Sequence, residues 1–469
     1  AAGDSLLDAA RAVAAAAYRP PSSSLPPPFK DLSYDAYRAI RPIPGRAARL
    51  PLGPGFAADL LPPGRYFPHP VAIELPGDGA FVERTFAPAL FDFAPGYFSD
   101  VPATAPGAGF SGLRLRHPLN DAEVMDEVLV VQGASYFRAI GRAMVYGQSA
   151  RAVAIGTGGP GPEEFPRFTR LRLHHATGDA IRLEGIIDSP SLAGHVDMTL
   201  RPGADTQTDI AVTLIPRRKI ADIGVAPLTS MFLKGPLRAA VADDFRPRVH
   251  DSDVLLIENG AGERLWRPVA NPATIETSAF VDDGPVAFGL WQTPRRFEDF
   301  EDSEARYHDR PSVRVVPKGD WGEGAVVLVE IPTGDEFMDN IVAFWRPARP
   351  LAAGVEYRFA YRLTWSDRAP LAAGTPTVLQ SRSGREHDRP GTRRFVVDYA
   401  GDVSGLAPDL SAADGVEVSD ASLFALPYGR GTRVTFLLTP GTGRSADLRL
   451  VLRDAAGAAA GPVWLYRWT

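Results

Sequence analysis

The 45 glycines and 44 prolines spread through this chain constrain its fold more than any single motif does. Glycine loses the most backbone freedom on ordering, and proline breaks a helix interior. A chain so punctuated has turns every few residues and little room for long helices. Between the turns stand short runs that alternate apolar and polar residues: Leu171-Arg172-Leu173-His174, Ile181 to Ile186, and Ala211 to Ile215. A period of two is the mark of a strand with one buried face. One helix is expected, over residues 4–18, with Asp4 as its N-cap, an alanine-rich body, and Pro20 and Pro21 at its end. Pro227 to Met231 reads as the start of a short helix or a functional loop. The expected class is all-β.

A chain of 469 residues exceeds what one hydrophobic core serves. The break is expected between Trp365 and Thr375, where a strand gives way to a polar, turn-like stretch. That divides the chain into a large N-terminal β-sandwich, 1–367, and a C-terminal domain, 375–469. Strands in the latter are expected near 393–399, 432–438, 446–453 and 462–468, a spacing that suits an immunoglobulin-like sandwich. Residues 380–391 are polar and charged. They read either as a mobile lid over a cleft or as a plain hairpin loop.

Composition excludes several functions. A net charge of −6 with basic residues dispersed offers no surface for nucleic acid. The absence of cysteine removes disulfides, thiol catalysis and cysteine-bound metal. No apolar run reaches the roughly 18–20 residues of a membrane span. There is no phosphate-binding loop, and His174 and His175, adjacent on an expected strand, point to opposite faces. No cofactor and no metal are expected. The start at Ala1-Ala2-Gly3, without methionine, suits a chain relieved of a leader or trimmed.

The segment Glu330-Ile331-Pro332-Thr333-Gly334-Asp335-Glu336-Phe337-Met338-Asp339-Asn340, followed by Ile341 to Trp345, carries the strongest hint of chemistry. Two apolar, strand-like runs flank a turn holding Asp335, Glu336 and Asp339. Mutual repulsion and partial desolvation favour the protonated form of at least one. A carboxyl that keeps its proton near neutral pH is what a glycosidase needs as its acid. The competing reading is a solvated acidic loop.

That segment resembles its counterpart in the osmoregulated periplasmic glucan biosynthesis protein G/D family (OpgG/OpgD, or MdoG). So do Phe29 to Tyr34, Gly133 to Arg138, Val145 to Arg151, Glu163 to Phe168, Gly224 to Phe232, Phe245 to Ser252, Arg306 to Ser312 and Pro317 to Gly322. They occur in the family's order from about residue 29 to 345; beyond about 370 the likeness is weak. The resemblance implies a large galactose-mutarotase-like β-sandwich followed by a small immunoglobulin-like one. It implies a periplasmic enzyme acting on β-1,2-glucan with anomeric inversion. Asp339 falls on the family's acid, Asp251 on its base, and Tyr307 on a tyrosine that relays the water's proton to the base. Arg310 matches a position expected to contact sugar hydroxyls. Trp321 and Trp345 are the aromatics expected beside glucosyl rings, with Glu336, Tyr136, Arg151 and His250 as further substrate-side residues.

Each residue has a plainer reading. Asp251 can cap a turn, Tyr307 can be a buried strand tyrosine, and Arg310 can pair with Asp309 or Glu304. Most tryptophans belong in cores. Three functions stay open at this level: an endo-β-1,2-glucanase, which is favoured; a transglycosylase closing the glucan through an α-1,6 bond; and a non-catalytic glucan scaffold for a membrane glucan synthase. The synthase and a second copy of this chain are the candidate macromolecular partners.

Overall fold

The computed structural model describes residues 5–238, 243–368, 371, 375–401, 403, 405–413, 415–442 and 445–469. It is almost entirely strand, as expected, and divides into two units. Unit 1 holds residues 1–227, 317–319 and 346–366; unit 2 holds 228–316, 320–345 and 367–469.

In unit 1, one antiparallel run passes through Ile181–Asp188, Leu192–Arg201, Thr206–Pro216 and Tyr357–Ser366. Alternation decides which face turns inward: Phe359, Tyr361, Leu363 and Trp365 are buried on one side of Tyr357–Ser366, and the residues between them are not. A second sheet runs through Ala57–Leu61, Gly112–His117, Asp126–Gln132, Tyr136–Ala139 and Ser149–Arg151. The two meet where the rings of Phe137 and Trp365 pack edge-to-face at 6.4 Å.

The helix is Leu6–Ala15, shorter than the expected 4–18. Ser5 holds the N-cap position, and Asp4 lies outside the described residues. Its Leu6 and Ala10 cover Ile186 and Ile215, and fully burying one leucine is worth about 1.5–3 kcal/mol. The helix thus exists to close an apolar sheet face. Pro227 to Met231 starts no helix: Ile223–Ser230 is a strand buried at every position, and Met231 is the single residue between it and the strand Phe232–Lys234.

In unit 2, Val254–Glu258 pairs with Arg264–Pro268 and with Ala287–Trp291, which pairs in turn with Ser312–Lys318. Gly289 permits the last pairing, because a Cβ there would sit 2.2 Å from the Val313 carbonyl oxygen. Glu276–Asp283 pairs with Glu323–Glu330. The expected C-terminal strands are present at Arg393–Ala400, Thr432–Pro440, Ala446–Arg453 and Val463–Trp468. Thr377–Arg385, Ala407–Ala412 and Val416–Ala425 join them. Phe395 and Phe436 stack at 5.2 Å and meet Trp464 at 6.4 and 6.0 Å.

The division differs from the one expected at 367–375, most of which lies outside the described residues. Arg264–Pro268 pairs in parallel with Val463–Trp468. Val254, Leu256, Trp266 and Trp291 share one apolar cluster with Phe395, Phe436 and Trp464. Described strands after 367 therefore share apolar packing with residues of 228–316. Residues 380–391 are the end of Thr377–Arg385 and its hairpin turn, closed by the Glu386 N–H donating to the Thr392 carbonyl at 3.0 Å.

Candidate active site

The acidic segment is a loop held at both roots. Glu323–Glu330 ends in a carboxylate only 1 % exposed, which receives Arg267 at 2.9 Å and the Ala270 N–H at 2.6 Å. Past Pro332, the Thr333 N–H donates to the Asn271 side chain, whose own amide donates to the Thr333 carbonyl, both at 2.9 Å. At the far root Asn340 is fully buried. It accepts the Phe232 N–H at 2.8 Å and donates to the Phe232 and Ile331 carbonyls at 3.0 and 2.9 Å. Satisfying those buried backbone groups makes the roots rigid. Between them Asp335 is exposed, Phe337 is 92 % exposed, and Asp339 is partly buried.

Glu336 points from this loop into a charged network. Arg246 donates to Glu336 at 2.7 Å, to Asp302 at 2.7 Å and to Asp244. Three carboxylates hold that guanidinium well above its ordinary range, Asp244 most of all, and Asp244 is drawn down to about 2 in return. The expectation that repulsion governs the acid cluster is thus modified, since Arg246 meets Glu336 directly. The Tyr307 hydroxyl also donates to Glu336, at 2.5 Å. Burial first, and the carboxylate second, push the Tyr307 phenol up. Its ring packs with Met231, Val249 and Phe300.

Arg310 follows one 3-10 turn later. Its guanidinium lies over the Tyr307 ring at 4.3 Å, donates to the Ala305 carbonyl, and reaches Asp251 at 2.5 Å. Burial works against the Arg310 charge, and Asp251 outweighs it, so the group stays raised. Asp251 itself is 4 % exposed, and its N–H donates to the Met231 carbonyl at 2.8 Å. Asp251, Arg310, Tyr307, Glu336 and Arg246 form one continuous chain of contacts, and Asp339 stands three residues past Glu336 on the same loop. The hydroxyl proton of Tyr307 goes to Glu336 in this structure, and its link to Asp251 runs through Arg310.

Several residues expected at the substrate are buried. Trp345 is fully buried and Trp321 is 7 % exposed; their rings pack together at 6.3 Å. Indoles enclosed this way belong to the core, and Trp345 offers no face for stacking. His250 is fully buried between a stacked Phe232 ring and Phe300, and its Nδ1 bonds Gln292 at 2.6 Å. Burial, then the Arg248 charge, push it down to about 3, so it stays neutral. It ends the strand Val249–His250, immediately before Asp251. Tyr136 and Arg151 belong to unit 1. There Arg151, 2 % exposed, pairs with Glu163 at 2.6 Å and lies over the Tyr136 ring at 5.2 Å. Its guanidinium is engaged within the protein.

Sequence reasoning passed over Arg246, Asp302, Asn340 and Gln292 as site residues. Arg246 and Asn340 stood inside segments already singled out. Asp302 and Gln292 carried no signal: Gln292 matters because its amide donates to the His250 and Tyr307 carbonyls at 2.7 and 3.0 Å. Among the described residues no three His, Asp or Glu side chains converge as metal ligands. Among those residues, too, no helix is long and apolar enough to cross a membrane.

The family profile described as "Periplasmic glucan biosynthesis protein, MdoG" matches residues 2–468. The chain is 41% identical over 477 residues to "Glucans biosynthesis protein G" of Vibrio cholerae serotype O1, covering 99% of this chain and 86% of the relative. It is 40% identical over 481 residues to the protein of that name from Shewanella sp. (strain MR-4), covering 100% and 86%. Among solved structures, a galactose mutarotase related enzyme from Lactobacillus acidophilus is similar at a TM-score of 0.24 and 9% identity, over 56% of this chain and 94% of the other. With the profile spanning nearly every residue and both relatives matching almost end to end, this chain belongs to the periplasmic glucan biosynthesis family, MdoG.

Proposed function

We propose that this protein is a periplasmic endo-β-1,2-glucanase that cleaves with inversion, serving glucan biosynthesis. One observation carries the reading. The buried carboxylate Asp251, the Tyr307 phenol and the acidic loop are joined through Arg310 and Glu336 into one network, and a partly buried Asp339 follows Glu336 by three residues on that loop. Residues so far apart in sequence, gathered around carboxyl groups, suit acid–base work on a glycosidic bond.

In the proposed step Asp339 gives its proton to the glycosidic oxygen as the bond to the anomeric carbon breaks. A water oxygen bonds that carbon from the opposite face, and its proton passes to Asp251 by way of Tyr307. Inversion needs about 6.5–9.5 Å between the two carboxyls to admit the water. A phenol that accepts one proton while releasing another suits the relay. To serve Asp251, the Tyr307 hydroxyl must turn from Glu336. Arg310 keeps the base in place and the Tyr307 ring beneath it.

The test is incubation with linear β-1,2-glucan, followed by thin-layer chromatography and mass analysis. Linear oligosaccharides are expected. A ring mass lacking one water would replace hydrolysis with cyclising transfer, and no product at high protein load would leave a glucan-binding scaffold.

A further inference from the structure

Unit 1 holds a polar cavity of about 750 Å³, within the range of ligand sites, about 300–1,000 Å³. It is built on the short antiparallel pair Ile40–Pro42 with Phe91–Phe93, where Arg41 stands directly opposite Asp92. Side chains opposite one another in a pair share a face. Helix Tyr34–Arg38 adds Asp35 and Arg38, and Arg49 enters from a residue in the left-handed region at φ 52°.

Part of the charge is used internally. Asp59, 1 % exposed, takes Arg116 at 2.7 Å and the Arg49 N–H at 2.9 Å, while Arg114 pairs with Glu127 at 2.5 Å. These bonds fix the wall. The side chains of Arg38, Arg41 and Arg49, and of Asp35 and Asp92, are exposed, and among the described residues none of them is engaged in an ion pair. The lining thus presents free carboxylates and free guanidiniums together. A sugar hydroxyl donates and accepts at once, so it uses both signs. Tyr97, 55 % exposed in the lining, offers an aromatic face of the kind that the apolar side of a pyranose ring packs against.

We infer that this cavity is a second saccharide-binding site, for a neutral glycan chain, built entirely from unit 1. Only the choice of β-1,2-glucan as first probe rests on the function proposed above.

The experiment is affinity electrophoresis of the full chain carrying Asp339→Asn in gels containing linear β-1,2-glucan, β-1,3-glucan or dextran. Tyr97→Ala, and separately the pair Arg41→Ala with Asp92→Ala, are added to that background. Retardation is expected to weaken about tenfold in at least one gel, while the same substitutions in the unaltered chain leave turnover of short β-1,2-oligosaccharides within about twofold. Unchanged retardation in every gel, or a parent that no polysaccharide retards, overturns the inference. Release by inorganic phosphate but not by glucose overturns it in favour of an anion site. Tyr97-dependent retardation without turnover of β-1,2-glucan would sink the glucanase reading and leave this one standing.

Discussion

Two charged networks in this protein look alike in their ions and differ in how they are built. In unit 1, Glu184 receives His174 at 2.6 Å and His195 at 3.0 Å, with Arg182 bridging it to Asp197. In unit 2, Asp251, Arg310, Tyr307, Glu336 and Arg246 form the candidate site. The first lies on and beside three consecutive antiparallel strands, where Glu184 and Asp197 are opposite partners. Neighbouring strands place such groups together whatever the protein does. The second draws residue 246, residue 251, residues 302, 307 and 310 together, and residue 336 from four different connections, at the cost of closing long loops. Its far end is a loop pinned at its roots and exposed at its tip. Ion density marks neither network as a site; convergence from distant loops on an accessible carboxyl does.

The sharpest way to break this comparison is Asp339→Asn. The amide preserves shape and delivers no proton, so turnover should fall about 10²–10⁴-fold with unfolding midpoint and glucan retention unchanged. Activity within tenfold of the parent would return the loop to the class of ordinary acidic turns. Asp251→Asn should be comparably impaired and Tyr307→Phe less so, by about 10²-fold, in single-turnover assays. Full activity in Tyr307→Phe with a dead Asp251→Asn would remove the relay and keep the base.

Arg310→Ala should cost stability as well as rate. It leaves Asp251 buried without its cation, a loss of about 3 kcal/mol readable in denaturant unfolding. Arg310→Lys, which keeps the charge, should recover part of it. An unchanged midpoint in Arg310→Ala would mean that Asp251 finds another partner.

The smallest effect is expected from Glu184→Gln, the counterpart in the other network. Burial pushes the Glu184 carboxyl up, but the bonds from His174 and His195 and the Arg182 charge outweigh it and hold it well below its usual 4.5. A carboxyl depressed in the folded state contributes stability that is present above its unfolded pKa and is lost as pH falls through the folded value. The parent should therefore lose stability progressively below about pH 4.5, and Glu184→Gln should show a shallower acid limb with turnover at neutral pH within about twofold. A large loss of turnover would make this network part of the site after all.

The strands were legible because alternation is a local property. A sheet with one buried face demands it, and Tyr357–Ser366 shows it residue by residue. The acidic loop was legible for the same reason, since Pro332 and the apolar runs on either side are neighbours in sequence. The placement of Asp251 beside Arg310 and of Tyr307 beside Glu336 was not, because it depends on contacts across 59 and 29 residues. Resemblance proposed roles for Asp251, Tyr307 and Arg310 but not their bonds, and the stacking of sugar faces on indole suggested Trp345 as a platform, where packing buries it. An indole suits a core and a sugar equally well, and only the surrounding volume chooses between them. Pattern along the chain determined the all-β class, the strand positions and the loop that carries Asp339. Tertiary packing alone decided that Glu336 accepts hydrogen bonds from the Tyr307 hydroxyl and Arg246, and that Phe395, Phe436 and Trp464 share a core with Val254 and Trp266. Such choices follow from which distant side chains exclude water together, and no local pattern records that.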